Sequence, residues 1–93
     1  MEFSKTHVRA YISGRVQGVG YRFWTLCEAE TMGITGWVQN LPDGRVEAAF
    51  EGTSAQIKQM VQRCHRGPQA AKVENVTVEN RAHQGLQGFE IRR

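Results

Sequence analysis

A glycine-rich turn leads straight from a strand into a helix in the segment ISGRVQGVGYR, residues 12–22. Three of the seven residues from Gly14 to Gly20 are glycines. Without a Cβ they can adopt backbone conformations in which successive N–H groups converge on one anion. The helix behind the turn adds unpaired N–H groups and the positive end of its dipole. Arg22 adds a planar guanidinium that can contact two oxygens at once, so the segment predicts a site for a phosphoryl group.

Two other glycine-rich phosphate motifs fit the segment less well. A Walker A loop ends in Gly-Lys-Ser or Gly-Lys-Thr, and this segment does not. The dinucleotide-binding fingerprint, if it began at Gly18, would need a glycine where Phe23 stands. Both motifs are therefore rejected.

A second segment, GWVQNLPDGRV at residues 36–46, has the pattern of a β-hairpin. The predicted strands are Ile34 to Leu41 and Arg45 to Phe50, joined by the turn Pro42-Asp43-Gly44. Asn40 lies at the edge of this turn. On local grounds, an asparagine in that position stabilises a turn more often than it takes part in catalysis.

Together the two segments resemble the two signatures of the acylphosphatase family. The first signature is an aliphatic residue, Gly-x-Val-Gln-Gly-Val-x, then Phe or Met, then Arg, and only Tyr21 departs from it, by one hydroxyl group. The second signature matches throughout, with Val46 and Gly52 at the family's spacing. The resemblance implies an enzyme that hydrolyses acyl phosphates to a carboxylate and inorganic phosphate. It also implies that Asn40 positions the attacking water.

The implied reaction assigns roles to a small set of residues. Loop amides and the Arg22 guanidinium would hold the phosphoryl oxygens, while Asn40 sets a water in line with the departing acyl oxygen. No strong general base is needed, because a carboxylate leaves readily and the substrate's phosphate can take the proton. The expected catalytic residues are Arg22 and Asn40. The expected phosphate-binding residues are Arg15, Val16, Gln17, Gly18, Val19, Gly20 and Arg22. Whether the Arg15 side chain adds charge or points to solvent stays open.

Hydrophobic periodicity predicts an α+β fold, the ferredoxin-like βαββαβ plait, with an antiparallel-rich sheet, two helices on one face and a short C-terminal strand. The expected elements are strands at His7–Ser13, Lys72–Asn80 and Phe89–Ile91 around the hairpin, a helix at Tyr21–Met32 ended by Gly33, and a second helix from a capping box at Thr53 to Gly67-Pro68. A helix joins strands one and two, so they run parallel, and the hairpin strand pairs antiparallel between them. Arg22 and Asn40 should therefore face the same edge of the sheet.

The size and charge of the chain limit the class of protein that it can be. The chain has 93 residues and a net charge of +3, and it shows no linker, repeat or charge block, which predicts one domain over residues 1–93. Residues 1–7 lack the apolar stretch of a signal peptide, so a cytoplasmic monomer without membrane attachment is expected. No Asp, Glu or His cluster accompanies the motifs, so neither a metal nor a cofactor is expected.

Several other residues could suggest a function but are expected to be structural. Buried free thiols are expected at Cys27 and Cys64, with a disulfide between them left open. Solvated side chains are expected at His7, His65 and His83. Packing in or beside the core, rather than stacking on a substrate, is expected at Trp24 and Trp37. Solvated side chains are also expected at Arg92 and Arg93.

Non-catalytic binding is the alternative class of function. The same plait carries RNA-recognition domains, whose sheet aromatics stack on bases, but only Tyr11 and Phe50 lie on strands that could present rings here. A module that senses phosphate or carbamoyl phosphate would keep the anion site without turnover. The presence of both Arg22 and Asn40 favours the enzyme, with a small acyl phosphate as substrate and no nucleic-acid partner.

Overall fold

Five strands form one mixed sheet in the computed structural model, which describes residues 5–93. The elements are β1 Thr6–Arg15, α1 Tyr21–Met32, β2 Thr35–Asn40, β3 Val46–Gly52, α2 Ser54–Cys64, β4 Lys72–Arg81 and β5 Phe89–Arg92. The sheet order is β4-β1-β3-β2-β5. β3 pairs antiparallel with both β1 and β2, and β5 pairs parallel with β2 at the edge. The predicted plait is confirmed. β1 and β2 run in the same direction, so their C-terminal ends lie at the same end of the sheet.

Neither helix in the described part of the chain is long and apolar enough to span a membrane. The expectation about a signal peptide falls mainly on residues 1–4, which lie outside the described residues.

A register shift opposite Gly14 explains why the hydrophobic alternation of β4 is imperfect. Ser13 pairs with Asn75 while Gly14 pairs with Val73, so β4 carries one extra residue, Glu74. Val73 and Val76, three positions apart, both pack against the core as a result. Gly14 has φ +118°, and a Cβ there would lie 2.2 Å from the Lys72 carbonyl oxygen. A glycine is therefore needed where β1 bends toward the loop.

Local sequence accounts for the end of α1 and for both ends of α2. α1 ends at Gly33, which has φ 73° and donates its N–H to the Ala29 and Glu30 carbonyls. Thr53 and Gln56 form the predicted capping box at the start of α2. α2 ends at Cys64, and residues 65–67 close turns back onto the Gln62 and Arg63 carbonyls before Gly67, with φ +65°, breaks the helical path at the predicted Gly67-Pro68 stop.

His7 is buried, 1% exposed, so the expectation that it is solvated was wrong. Across the β1–β3 ladder it faces Glu51, and its Nδ1 lies 2.8 Å from a Glu51 carboxylate oxygen. Its Nε2 accepts a hydrogen bond from Arg9 Nε at 3.3 Å. That acceptor role leaves Nδ1–H as the donor to Glu51. His65 and His83 are exposed, as predicted.

The two cysteines differ in exposure. Cys64 is buried in the core as predicted, but Cys27 is exposed, so that prediction was wrong. Thr25 and Ala29 occupy the buried face of α1, and Cys27, midway between them, falls on the outer face of the helix. Both thiols are free.

Both tryptophans pack against protein, as predicted. Trp24 is half-buried beside the core, 5.3 Å from the Tyr21 ring, centroid to centroid. Trp37 is buried on the face of the sheet opposite the helices, because its neighbour Val38 points into the core. The Arg9 and Arg92 guanidinium carbons lie 4.8 and 4.1 Å from its ring centroid.

The Glu51 carboxylate holds the connection between β4 and β5 against the sheet. Besides His7, it accepts hydrogen bonds from the backbone N–H groups of Gln84 and, at 2.7 Å, Leu86. Burial by itself raises the pKa of Glu51, but the hydrogen bonds from His7, Gln84 and Leu86 outweigh it and lower the pKa to about 2. These bonds need an ionised carboxylate.

Substituting Glu51→Gln is therefore expected to lower the free energy of unfolding at pH 7 by about 1–3 kcal/mol. Because the pKa is lower in the folded state than in the unfolded chain, the stabilisation is complete above the ordinary pKa of 4.5 and is lost as the pH falls toward 2. Urea denaturation of wild type and variant from pH 7 to pH 2.5 should show the two curves converging. The exposed Glu79→Gln is the control, and an equal gap at both ends of the range would contradict the prediction.

Candidate active site

One pocket, of about 200 Å³, lies at the end of the sheet where β1 and β2 finish. Of the predicted site residues it brings together Val16, Gly18, Gly20, Arg22 and Asn40. The sequence did not indicate four further lining residues: Tyr21, Phe23, Ile91 and Arg93. Two of these come from the end of the chain, because β5 adds to the sheet beside β2 and runs parallel to it. Arg93 was expected only to be solvated, yet it lines the pocket while remaining exposed.

The glycine loop has the backbone conformation that the sequence predicted. Gly18 and Gly20 have φ values of +74° and +81°, in the left-handed region, and a Cβ on either would meet no atom within 4 Å. Gly20 is also the N-cap of α1, and its carbonyl accepts the N–H of Trp24 at 3.0 Å. No side chain caps this helix end and no acidic residue lies in its first turn. The N–H groups of the first turn and the positive helix end therefore stay available to an anion.

Arg22 is half-buried at the pocket, in the first turn of α1. One guanidinium nitrogen, Nη1, donates to the Arg92 carbonyl oxygen at 3.4 Å. Within residues 5–93 no carboxylate forms an ion pair with it. Its positive charge is thus held near the loop by the end of β5 without being neutralised.

Asn40 is the last residue of β2 and is half-buried. Its side-chain oxygen, Oδ1, is fully buried and has no hydrogen-bond partner among the described residues. Such an atom costs about 1–3 kcal/mol of stability when it is left unsatisfied. Because Asn40 also lines the anion pocket, its carboxamide lies beside the space where a water could be held.

The Gln17 side chain ties the loop to the hairpin, a role that the sequence analysis missed. Its Nε2 donates to the carbonyl oxygens of Leu41 and Arg45, both at 2.9 Å. Leu41 follows Asn40 directly, and its N–H in turn bonds to the Arg45 carbonyl at 2.8 Å. The amide of Gln17 thereby sets the distance between the glycine loop and Asn40. The only signal in the sequence was a glutamine among glycines, where loops usually carry small residues.

The remaining loop side chains lie away from the pocket. Arg15 is exposed, and Val19 is partly buried against the core. For these residues, as for Gln17, only a backbone N–H is a candidate contact with an anion.

Comparison with known proteins gives a consistent result. The family model described as Acylphosphatase matches residues 8–91. A curated acylphosphatase of Trichormus variabilis is 54% identical over 86 residues, covering 92% of this chain and 85% of the relative. One of Haloarcula marismortui is 49% identical over 92 residues, which is 99% of each chain. The crystal structure of acylphosphatase from Bacillus subtilis superposes with a TM-score of 0.92 at 35% identity, covering 95% of this chain and 99% of that one. Nearly the whole chain takes part in each match, and it therefore belongs to the acylphosphatase family.

Proposed function

We propose that this acylphosphatase-family chain hydrolyses the carboxyl–phosphate bond of acyl phosphates, by in-line attack of a water on phosphorus. The observation that carries the proposal is the convergence of the glycine loop, Arg22 and the unsatisfied Asn40 oxygen on one pocket. The loop and the arginine suit an anion, and the asparagine oxygen suits a water donor. Together they match the two reactants of a hydrolysis.

The phosphoryl end of the substrate is held by groups that need no rearrangement. The loop N–H groups and the first turn of α1 are fixed by the left-handed conformations of Gly18 and Gly20. Arg22 contributes the formal charge, and its planar fork can contact two equatorial oxygens. As the bond to the acyl oxygen breaks, charge redistributes over these oxygens, and donors already in place stabilise it more than they stabilise the ground state.

Asn40 orients the nucleophile. Its carboxamide, turned slightly so that Oδ1 reaches the pocket, would accept one hydrogen bond from the attacking water and so fix the direction of a lone pair toward phosphorus. An amide is too weak a base to take the proton, so its contribution is positional. The proton passes to an oxygen of the substrate's phosphoryl group, and the carboxylate departs without protonation because it is a weak base.

The RNA-binding alternative needs accessible rings on the sheet, and the described strands do not present them. Phe50 is fully buried in the core. On the helix-free face, the Tyr11 ring lies 5.2 Å from the Arg45 guanidinium carbon, and the Arg9 and Arg92 guanidinium carbons lie 4.8 and 4.1 Å from the Trp37 ring centroid. Arginine side chains thus occupy the ring faces that bases would need for stacking.

Hydrolysis of benzoyl phosphate in ¹⁸O-labelled water tests both the activity and the point of attack. Attack on phosphorus places the label in inorganic phosphate, whereas attack on the carbonyl carbon places it in benzoate. We expect enzyme-dependent release of labelled phosphate, read by mass spectrometry against an enzyme-free control. Label in benzoate would overturn the mechanism. Phosphate binding without turnover would instead support a sensing module.

Removing the Gln17 tether should slow the reaction with little effect on the fold. Gln17→Met keeps the length of the side chain but donates to neither carbonyl, so the loop and Asn40 can drift apart. A misplacement of about 1 Å can cost about 10²-fold in rate, and we expect a 10- to 100-fold loss in kcat/KM. Gln39→Met is the matched control, because the Gln39 side chain donates to Glu47 on the face of the sheet that the helices do not cover. Equal effects of the two substitutions would contradict the assignment.

A further inference from the structure

Phe23 is an apolar side chain left exposed at the rim of the pocket. It is 65% exposed, and in the described chain only one other large hydrophobic residue, Val78 at 40%, is classed as exposed. Val78 lies on β4, at the opposite edge of the sheet from β5, and does not line this pocket. Single exposed apolar residues are common on protein surfaces, so what distinguishes Phe23 is that its side chain lines the pocket.

The pocket has two chemically different ends, one polar and one apolar. The glycine loop and Arg22 address only the phosphoryl group. Phe23 follows Arg22 in the first turn of α1, and Ile91, partly buried in β5, lines the same pocket. These two residues form an apolar part of the wall next to the phosphate end. The carbon chain of an acyl phosphate has to leave the phosphate end toward the open rim, where this apolar surface lies.

We propose that Phe23 and Ile91 form the subsite for the acyl group, and that the enzyme favours acyl phosphates whose carbonyl carries an aromatic or other apolar substituent. The inference rests on the proposed function and names the substrate class of the same site. A ring on the substrate would cover the exposed face or edge of Phe23 and remove apolar surface of both from water. The remaining rim residue, Arg93, is exposed and charged, so it does not provide comparable apolar contact.

Contact between the acyl group and Phe23 would also determine which acyl phosphates the enzyme prefers. A methyl group, as in acetyl phosphate, is too small to cover a phenylalanine ring, whereas a phenyl group can stack on it or meet its edge. Because the phosphoryl end is common to both substrates, the ratio of their kcat/KM values isolates the acyl subsite. An unfolded or inactive fraction of enzyme cancels in this ratio, since both substrates are measured on one preparation.

The test compares kcat/KM for benzoyl phosphate and acetyl phosphate in wild type, Phe23→Ala, Phe23→Leu and Val78→Ala. We expect wild type to favour benzoyl phosphate, and Phe23→Ala to lower the ratio by about tenfold, the scale of one aromatic contact. Phe23→Leu should fall between them, because it keeps apolar surface without the ring. Val78→Ala, the matched exposed residue, should leave the ratio unchanged.

The outcomes separate the two proposals. If wild type hydrolyses both substrates but Phe23→Ala leaves the ratio unchanged, the acyl subsite is wrong and the hydrolase activity stands. If the ratio falls equally in Val78→Ala, the effect is not local and the subsite is again wrong. If wild type hydrolyses neither substrate, the proposed function fails and the subsite fails with it.

Discussion

Replacing Arg22 with alanine is expected to lower kcat/KM for benzoyl phosphate by about 10³-fold or more, the scale of a single arginine that stabilises phosphoryl transfer. The guanidinium is the positive charge that lies half-buried in the pocket without an acidic partner among residues 5–93. Among the described residues it makes one hydrogen bond to protein, a 3.4 Å contact with the Arg92 carbonyl that is long and exposed. The substitution should therefore remove most of the activity and little of the stability.

A lysine at this position should recover only part of the activity. Arg22→Lys keeps the charge but replaces a planar fork with a compact ammonium group, which cannot contact two oxygens in the same way. Arg81→Ala is the control, because Arg81 is an exposed arginine on β4 that pairs with Glu79. Steady-state kinetics and thermal unfolding should be measured on all three variants. Activity of Arg22→Ala within threefold of wild type would sink the assignment.

Replacing Asn40 with alanine is expected to lower kcat by about 10²-fold or more, because a nucleophile that is no longer oriented loses the advantage of a fixed approach. KM should change little, since the loop and Arg22 still hold the phosphoryl group. The free energy of unfolding should stay constant or rise, because the substitution removes a buried oxygen that has no partner among the described residues. Loss of activity together with equal or greater stability is the signature of a residue kept for function.

Kinetics and urea denaturation of Asn40→Ala test both halves of this prediction. Asn75→Ala is the control, because Asn75 is an exposed asparagine of β4 that bonds only to Thr77 among the described side chains. A loss of stability greater than about 2 kcal/mol would fit the cost of breaking a buried hydrogen bond and would make Asn40 a turn stabiliser instead. That result would restore the local interpretation of an asparagine beside a Pro-Asp-Gly turn.

Much of the fold was predictable because it depends on interactions between near neighbours. Gly14, Gly18 and Gly20 permit the bend and the left-handed conformations of the loop, and each of them has positive φ. The capping box at Thr53 and the C-cap at Gly33 act within one helical turn. The handedness of a strand–helix–strand unit then brings the ends of β1 and β2 to one edge of the sheet. Arg22 and Asn40 are therefore expected to lie close together, and both line one pocket.

Contacts between distant parts of the chain were not predictable in this way. His7 is expected at the surface from its position near a strand end, but the β1–β3 register sets it against Glu51, 44 positions away, and buries both. The extra residue in β4 depends on the bend at Gly14, and its effect on the alternation of Val73 and Val76 is visible only in the paired ladder.

By itself, then, the sequence determined the glycine loop, the hairpin, the helix caps and the order of the strands. These features depend on the backbone preferences of single residues and on the spacing of hydrophobic residues within a few positions of each other. Only the tertiary structure decided that Gln17 bonds across to the hairpin and that the end of β5 completes the pocket. It also left Phe23 exposed at the rim. Each of these depends on which atoms from separate segments meet in space, and that follows from the packing of the whole sheet and its helices.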